Sequence, residues 1–265
     1  MSTTGGAAEA VADMVRTCGP MVHAVVRRIV RNPADVDDVV QDAFVSAYRH
    51  WGDFRGESKP CTWLHAIAVR AAIRRGRREA RRRSVTRDYA AALPFAQPRL
   101  AAAEFDPESR EARELREDAR ARVDEAIVDV PEPFRSAIVL KDIADMGVAD
   151  AARVLGIKPA TLKTRVHRGR ILLRASLLAD RSKKHVPPPV YARAVCMDLL
   201  RAKMDALDRG VDFPVQDGLV CERCRQVFAS LDVGADACAS LRGAAMPAGL
   251  RKRIERAIRE EAARA

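Results

Sequence analysis

The sequence has few aromatic residues and few histidines, and it lacks long apolar runs. Phe, Trp and Tyr make up 5% of the 265 residues, and the five histidines are scattered. No uninterrupted apolar run approaches the ~20 residues that cross a membrane. The start, MSTTGGAAEAVADMV, lacks the basic patch and apolar core of a secretory signal. We therefore expect a cytoplasmic chain with no membrane partner.

Motifs for catalysis are also missing. The chain has no Gly-rich loop that cradles phosphate, no nucleophile elbow and no helix with paired histidines. Six cysteines are too few for a disulfide scaffold in a chain of this length, and four of them follow residue 190. These absences predict that the protein is not an enzyme and that its thiol chemistry is local to the C-terminal part.

Positive charge is what the sequence has in excess. Lys and Arg number 47 against 36 Asp and Glu, which gives a formal net charge of +11. Such a charge favours an anionic partner, but the total does not distinguish nucleic acid from an anionic membrane surface. The position of the basic residues along the chain has to decide between them.

Apolar residues recur at spacings of three and four along most of the chain, which predicts an all-α fold without substantial sheet. We expect two helical domains, an N-terminal helical bundle at 8–88 and a helix-turn-helix domain at 108–180, joined by a linker at 89–107. A proline-rich spacer at 181–190 then leads to a small helical tail at 191–265 that carries four cysteines.

A helix-turn-helix pattern lies near the end of the second domain. Gly156 stands where a left-handed helix cap is needed, and Pro159 opens the helix that follows. Threonine, lysine and arginine side chains on such a helix can contact base edges and phosphates in a major groove. The alternative is a solvated basic face on an ordinary helical hairpin. The residues predicted to bind DNA here are Thr161, Lys163, Thr164, Arg165 and Arg168.

Two segments resemble the extracytoplasmic-function (ECF) sigma factors. Residues 130–177 resemble the C-terminal domain, whose helix-turn-helix reads the minus-thirty-five promoter element, although Lys158 replaces the usual Ser or Thr cap and Ala151 a bulkier aliphatic residue. Residues 31–79 are similar to the N-terminal domain, and the two patterns occur in the family's order. The resemblance implies a sigma factor that binds RNA polymerase core and promoter DNA, both duplex and melted strand, and directs transcription initiation.

The resemblance also implies roles for residues of the N-terminal half. In the family the acidic helix docks on polymerase, and the loop and helix DFRGESKPCTWL capture an unstacked base of the minus-ten element. The predicted polymerase-binding residues are Asp35, Asp38, Gln41 and Asp42, with a solvated helix face as the alternative. The predicted DNA-binding residues here are Lys59, Arg70, Arg74 and Arg75.

One tryptophan and two cysteines of the N-terminal half are predicted to have no direct role in binding. Trp63 has helical spacing with Leu64 and Ile67, which favours packing over stacking on a base. We interpret Cys18 and Cys61 as incidental, because the sequence indicates no partner for either.

The tail contains a CxxC pair, a compact chelate for a tetrahedral metal such as zinc. Residues 196–232 resemble the zinc-finger anti-sigma domain, with Asp217 at its histidine position. Either Asp217 or Cys238 would complete a site for Zn²⁺ or another thiophilic metal; a reduced hairpin with buried cysteines is the alternative. The candidate ligands are Cys196, Asp217, Cys221, Cys224 and Cys238.

We hypothesise that this tail gates the promoter-binding domains in response to metal or thiol oxidation. The last helix, GLRKRIERAIREEAARA, is amphipathic and either packs on another domain or remains solvated. Two other functions remain open at this point. One is a helix-turn-helix regulator that binds duplex DNA without joining polymerase, and the other is a metal or redox switch with secondary DNA affinity.

Overall fold

The computed structural model describes residues 3–30, 32–80, 122–178, 188–243 and 245–264. Within these ranges the regular elements are all helical, as the apolar periodicity predicts. The predicted linker at 89–107 and most of the predicted spacer at 181–190 lie outside the described residues.

Eleven helices are seen within the described residues. They are α1 (Thr3–Thr17), α2 (Gly19–Ile29), α3 (Val36–Arg49), α4 (Pro60–Ala80), α5 (122–129), α6 (Glu132–Ile138), α7 (Val148–Leu155), α8 (Pro159–Leu177), α9 (Arg193–Arg209), α10 (Glu222–Ser240) and α11 (Ala248–Arg264). A π turn extends α6 at Val139–Ile143, and 3-10 turns lie at Pro33–Asp35, Trp51–Asp53, Asp217–Leu219 and Leu241–Gly243.

The chain packs as two compact units whose limits differ from the predicted domain boundaries. The first unit takes its described residues from 1–85, 135–163 and 241–265, and the second takes them from 86–134 and 164–240. Both the predicted helix-turn-helix domain and the predicted tail are therefore divided between units. Sequence periodicity does not reveal this division, because it reports which face of a helix is buried and not which helix buries it.

The core of the first unit is built on α2, α3 and α4, which contact one another. Val22, Val25, Val26 and Ile29 form a buried stripe along α2, and Phe44 of α3 is fully buried. These positions recur every three or four residues, so they share one face of a helix. Asn32 caps the turn before α3, since its side chain accepts a hydrogen bond from the backbone N–H of Ala34 at 3.2 Å.

Part of the segment at 130–177, which contains the predicted helix-turn-helix, also belongs to the first unit. Helix α7 packs against α4, and the π turn after α6 contacts α2. The buried Arg135 at the middle of α6 donates a hydrogen bond to the backbone carbonyl of Ile29 at 3.0 Å. This bond satisfies a carbonyl at the C-terminal end of α2 that has no partner within its own helix.

The second unit contains a helical hairpin, α9 and α10, that packs on the C-terminal half of α8. Its core brings Ile171 of α8 together with Leu200 and Met204 of α9 and with Val227 and Leu231 of α10.

Candidate functional site

Asp35, one of the predicted polymerase-binding residues, is bonded to a predicted DNA-binding residue. Its carboxylate accepts a hydrogen bond from Arg75 of α4 and another from the Asn32 amide at 3.2 Å. The bond from Arg75 holds the pKa of Asp35 below its usual value. The Asp35 side chain is only 13% exposed. Asp35 and Arg75 thus join the 3-10 turn before α3 to α4, although they were predicted to bind two separate partners.

The other predicted polymerase-binding residues lie on α3. Asp38 and Asp42 are exposed and Gln41 is partly buried. Spacings of three and four selected these residues and passed over Asp37, whose carboxylate lies 3.2 Å from Arg253 and 3.6 Å from Nε2 of His23. No local signal marks Asp37, because Arg253 is 216 positions away in the sequence.

Helix α11 covers part of α3 and α1 in the first unit. Its apolar residues Leu250, Ile254 and Ile258 are buried at intervals of four. Near its end, Glu261 accepts two hydrogen bonds from Arg49 of α3, at 2.9 and 2.7 Å. Of the two possibilities left open for the last helix, the structure shows packing against another part of the chain.

An aromatic cluster stands beside the loop that precedes α4. It consists of Trp51, Phe54 and Trp63, with ring centroids 5.1 to 6.0 Å apart. The three rings are each partly buried, so Trp63 packs as predicted while keeping some exposed surface. The sequence analysis did not single out Trp51 and Phe54, because the segment WGDF shows no helical period of apolar residues.

The basic residues predicted near this loop face solvent. Lys59 precedes α4, while Arg70 and Arg74 lie four residues apart on it, and these three residues are exposed. Residues four apart share a helix face, so Arg70 and Arg74 form a basic edge along α4.

Cys18 and Cys61 are bonded to each other, which contradicts their interpretation as incidental. Their disulfide joins the residue before α2 to the second residue of α4, across a sequence separation of 43. The contact is nonlocal, so cysteine spacing alone did not predict it.

The helix-turn-helix forms as the sequence predicts. Gly156 ends α7 in the left-handed conformation, with φ at +66°, and α8 begins at Pro159. Leu162, Val166 and Leu173 are buried, as their spacing predicts. The predicted DNA-binding side chains lie on the remaining face of α8: Thr161, Lys163, Thr164 and Arg168 are exposed, and Arg165 is partly buried.

Further along α8, two arginines are buried against the α9–α10 hairpin. Arg170 donates to the Asp208 carboxylate at 2.7 Å, and His167 lies 3.4 Å from the other oxygen of that carboxylate. Burial raises the pKa of Asp208, but the neighbouring His167 and Arg170 outweigh it and lower the pKa overall.

Arg174 is the second of these arginines. It donates a hydrogen bond from Nε to the Ser230 hydroxyl of α10, and burial lowers the pKa of its guanidinium to about 10. No local pattern separates Arg170 and Arg174 from the exposed basic residues of α8, since the burial of these two arginines depends on the hairpin.

Three of the candidate metal ligands meet in the core of this hairpin. Cys196, Cys221 and Cys224 are buried there, and the Cys224 thiol interacts with both other thiols. Burial opposes ionisation of Cys221, but N–H groups of Cys224, Val190 and Arg223 bond to its sulfur and lower its pKa overall. Burial, with the two neighbouring thiols, raises the pKa of Cys224.

Cys238 does not join these thiols, so the all-cysteine alternative is wrong. It lies on α10 fourteen positions after Cys224, and a rise of 1.5 Å per residue separates the two by about 21 Å. Asp217 begins a 3-10 turn four residues before Cys221, and its side chain is not among those described. Within the described residues, no three His, Cys, Asp or Glu side chains already form a metal-binding group.

The described helices include none that is both long and apolar enough to cross a membrane.

Comparison with known proteins identifies both family segments. Residues 14–82 match sigma-70 region 2, and residues 120–173 match sigma-70 region 4. Two solved structures are similar over about two thirds of this chain. CnrH in complex with the cytosolic domain of CnrY is 27% identical with a TM-score of 0.46, covering 67% of this chain and 96% of that one. The sigma factor RpoE in complex with the anti-sigma factor NepR from Bartonella quintana is 20% identical with a TM-score of 0.46, covering 64% and 97%.

Curated proteins of similar sequence are RNA polymerase sigma factors. The RNA polymerase sigma-H factor of Pseudomonas aeruginosa is 33% identical over 161 residues, 56% of this chain and 76% of that protein. The ECF sigma factor SigM of Mycobacterium tuberculosis is 30% identical over 152 residues, covering 57% and 69%. The ECF sigma-E factor of Escherichia coli is 33% identical over 153 residues, covering 56% and 76%. This chain therefore belongs to the ECF sigma factors of the sigma-70 family, initiation factors that work with RNA polymerase core and promoter DNA and are not enzymes.

Proposed function

We propose that this sigma factor is held inactive by its own C-terminal tail and becomes active when the tail releases it. The observation that carries the proposal is that α11 lies along α3, the helix whose family role is to dock on polymerase. A helix with side chains is about 10 Å across, so a bound α11 obstructs any partner that approaches the same part of α3.

The ionic contacts of α11 border the predicted polymerase-binding residues. Asp37, which pairs with Arg253, directly precedes Asp38. Arg49, which binds Glu261, is close enough to Asp42 for the Asp42 charge to raise its pKa, after the larger effect of Glu261. We infer that Asp38, Gln41 and Asp42 contact polymerase once α11 has left.

Promoter geometry supports an inactive arrangement independently. The minus-ten and minus-thirty-five elements lie about 25 base pairs apart, or ~85 Å at 3.4 Å per base pair of duplex. In the first unit α4, with the predicted minus-ten residues Lys59, Arg70 and Arg74, packs against α7, the first helix of the helix-turn-helix. Because α7 leads directly into α8, both elements are bound together only after α4 and α7 separate.

The α9–α10 hairpin restrains the promoter-reading helix itself. Asp208 and Ser230 bind guanidinium groups of α8, so the hairpin keeps these two groups from DNA phosphates. We infer that Thr161, Lys163, Thr164, Arg165 and Arg168 read the duplex, and that Arg170 and Arg174 reach the backbone only when the hairpin moves. The site of action would then be the cytoplasm, where polymerase and chromosome are.

Reversing both ionic contacts of α11 is expected to increase binding to polymerase core. In the double variant Arg253→Glu, Glu261→Arg, like charges face Asp37 and Arg49, although the net charge is unchanged. Exposed ion pairs are worth at most about 1 kcal/mol each, so we expect roughly five-fold tighter apparent binding. Fluorescence anisotropy of the labelled sigma factor, titrated with core polymerase, measures this affinity.

Two controls make the result specific. The double variant Arg259→Glu, Glu260→Arg makes the same charge exchange at exposed positions of α11 and should bind as the native chain does. Asp42→Lys should weaken binding at least ten-fold, whereas Asp198→Lys, on the exposed side of α9, should not. Equal binding by the two double variants would refute gating by α11, while a silent Asp42→Lys would refute the predicted polymerase contact.

The metal-binding role of the tail also remains a proposal. Thiolates suit a thiophilic ion such as Zn²⁺, and N–H···S bonds to Cys221 already favour its ionised form. The three thiols share one core, and binding would draw them together into a group that the described side chains do not yet form. Asp217 would supply a fourth ligand. A bound cation would favour ionisation of Cys224 and offset the pKa increase that burial and its neighbours cause.

Purified protein is expected to contain about one zinc ion per chain by elemental mass spectrometry. Cys221→Ser and Cys224→Ser should each remove it, and Cys238→Ser should retain it because of its distance along α10. A metal-free native chain after growth and purification with zinc, or equal loss in Cys238→Ser, would exclude this site.

A further inference from the structure

We infer that Cys18 and Cys61 form a reversible thiol–disulfide site that makes promoter melting sensitive to peroxides. Their Cα atoms lie 5.6 Å apart, within the usual range for a disulfide. Neither residue belongs to the tail, so this site is independent of the thiols discussed above. The effect on promoter melting rests on the sigma-factor activity described above, whereas formation of the disulfide does not.

The two sulfurs differ in access. Cys18 is 2% exposed, while Cys61 is partly exposed at the second position of α4. A helix N-terminus favours negative charge and hence a thiolate at Cys61. A sigma factor works beside polymerase, where glutathione and thioredoxin keep thiols reduced, so a disulfide there forms when an oxidant arrives. These features make Cys61 the attacking group and Cys18 the resolving group.

Hydrogen peroxide supplies the oxidising equivalents. The Cys61 thiolate attacks one peroxide oxygen, the O–O bond breaks, and Cys61 sulfenic acid and hydroxide result. The Cys18 thiol then attacks the sulfenic sulfur, the S–O bond breaks and water leaves. In total two thiols and one peroxide give one disulfide and two waters, and a dithiol reductant reverses the reaction by exchange.

The bond restrains the part of α4 that follows the predicted base-capturing loop. Trp63 lies two residues after Cys61, and its backbone N–H bonds to the Lys59 carbonyl at 3.1 Å. The buried His65 donates from Nδ1 to the Cys61 carbonyl at 2.7 Å, since a carbonyl oxygen only accepts. In the described arrangement Trp51, Phe54 and Trp63 cover one another. We expect an unstacked base to insert between these rings when the cluster opens, and a first turn of α4 that is linked to Cys18 opens less readily.

The test uses the full chain, reduced or treated with hydrogen peroxide, then assembled with core polymerase on a promoter selected from a randomised library. Peptide mass spectrometry after thiol blocking should find a Cys18–Cys61 crosslink in the oxidised native chain. Permanganate footprinting should show melting at least three-fold slower for the oxidised native chain, with full recovery after dithiothreitol.

The variants separate this site from the tail. The variants Cys18→Ser and Cys61→Ser should melt the promoter as fast as the dithiol form of the native chain does, both before and after peroxide treatment. Cys238→Ser should respond to peroxide as the native chain does. A missing crosslink overturns the chemistry, and a crosslink that leaves melting unchanged overturns the control of melting. Peroxide sensitivity that survives in both Cys18→Ser and Cys61→Ser assigns the response to other thiols and overturns the inference. If the native chain does not bind core polymerase, the melting comparison is made in the double variant Arg253→Glu, Glu261→Arg; failure of that variant to bind would refute the proposed gating, and the crosslink result stays readable in either case.

Discussion

Replacing Asp208 with alanine is expected to lower the free energy of unfolding by about 3–5 kcal/mol, because it removes a carboxylate that binds the buried Arg170 guanidinium. The side chains of Arg170 and Asp208 are 7% and 4% exposed, so water does not replace the lost partner. For a chain of this size the loss corresponds to a decrease in Tm of roughly 10 °C. Thermal and urea unfolding followed by circular dichroism measure it.

Two further variants identify the cause of that loss. Asp198→Ala removes an exposed carboxylate from the same helix, whose i,i+3 pair with Arg201 should contribute less than about 1 kcal/mol. The double variant Arg170→Met, Asp208→Leu removes both charges and should regain most of the stability, since apolar residues replace buried pairs at little cost. If Asp208→Ala were no worse than Asp198→Ala, the pair would not anchor the hairpin to α8.

The same pair predicts a dependence on pH. The folded-state pKa of Asp208 is lowered from its model-compound value of 3.8, so the unfolded chain binds the proton first as the pH falls. The pair's stabilisation is therefore fully present above that unfolded value and disappears as the pH decreases through the folded-state pKa. The native chain should lose more stability than Asp208→Ala over that acidic interval.

Reducing the Cys18–Cys61 disulfide is expected to lower the free energy of unfolding by about 2–4 kcal/mol. A crosslink between residues 43 positions apart restricts the unfolded chain, and chain-entropy models assign about that much to a loop of this length. Urea unfolding of the oxidised chain with and without dithiothreitol measures the difference.

The double variant Cys18→Ala, Cys61→Ala isolates this effect from the four tail cysteines. It should be insensitive to dithiothreitol and close to the reduced native chain in stability. If its stability still fell on reduction, thiols other than this pair would be responsible. Stability and melting rate change in opposite directions on oxidation, because the bond that stabilises α4 also restrains it.

Region 2 decides between the functions left open by the sequence alone. A helix-turn-helix regulator that never joins polymerase needs only the segment around α7 and α8, whereas residues 14–82 match the sigma-70 region 2 as well. The matched regions end at residue 173, before the tail begins. The tail is therefore where this chain differs from the shared architecture, and its contacts with α3 and α8 are the reason to expect regulation there.

The sequence by itself determined the helices, the recognition helix and the family. The buried stripe of α2 repeats with the helical period at Val22, Val25, Val26 and Ile29. Gly156 marks a helix end in the left-handed backbone conformation, which residues with a side chain rarely adopt. Both are local signals, since each depends on neighbours within about one or two turns. The exposed residues of α8, among them Lys163 and Arg168, followed from the same periodicity.

Only the tertiary structure decided which of these residues are available to a partner. Arg75 is bonded to Asp35, Arg253 to Asp37, and Arg170 to Asp208, across 40, 216 and 38 positions. An ionisable side chain has the same identity whether it faces water or a buried carboxylate, so no local pattern distinguishes the two. That difference depends on helices distant in sequence packing together, which also joins Cys18 to Cys61.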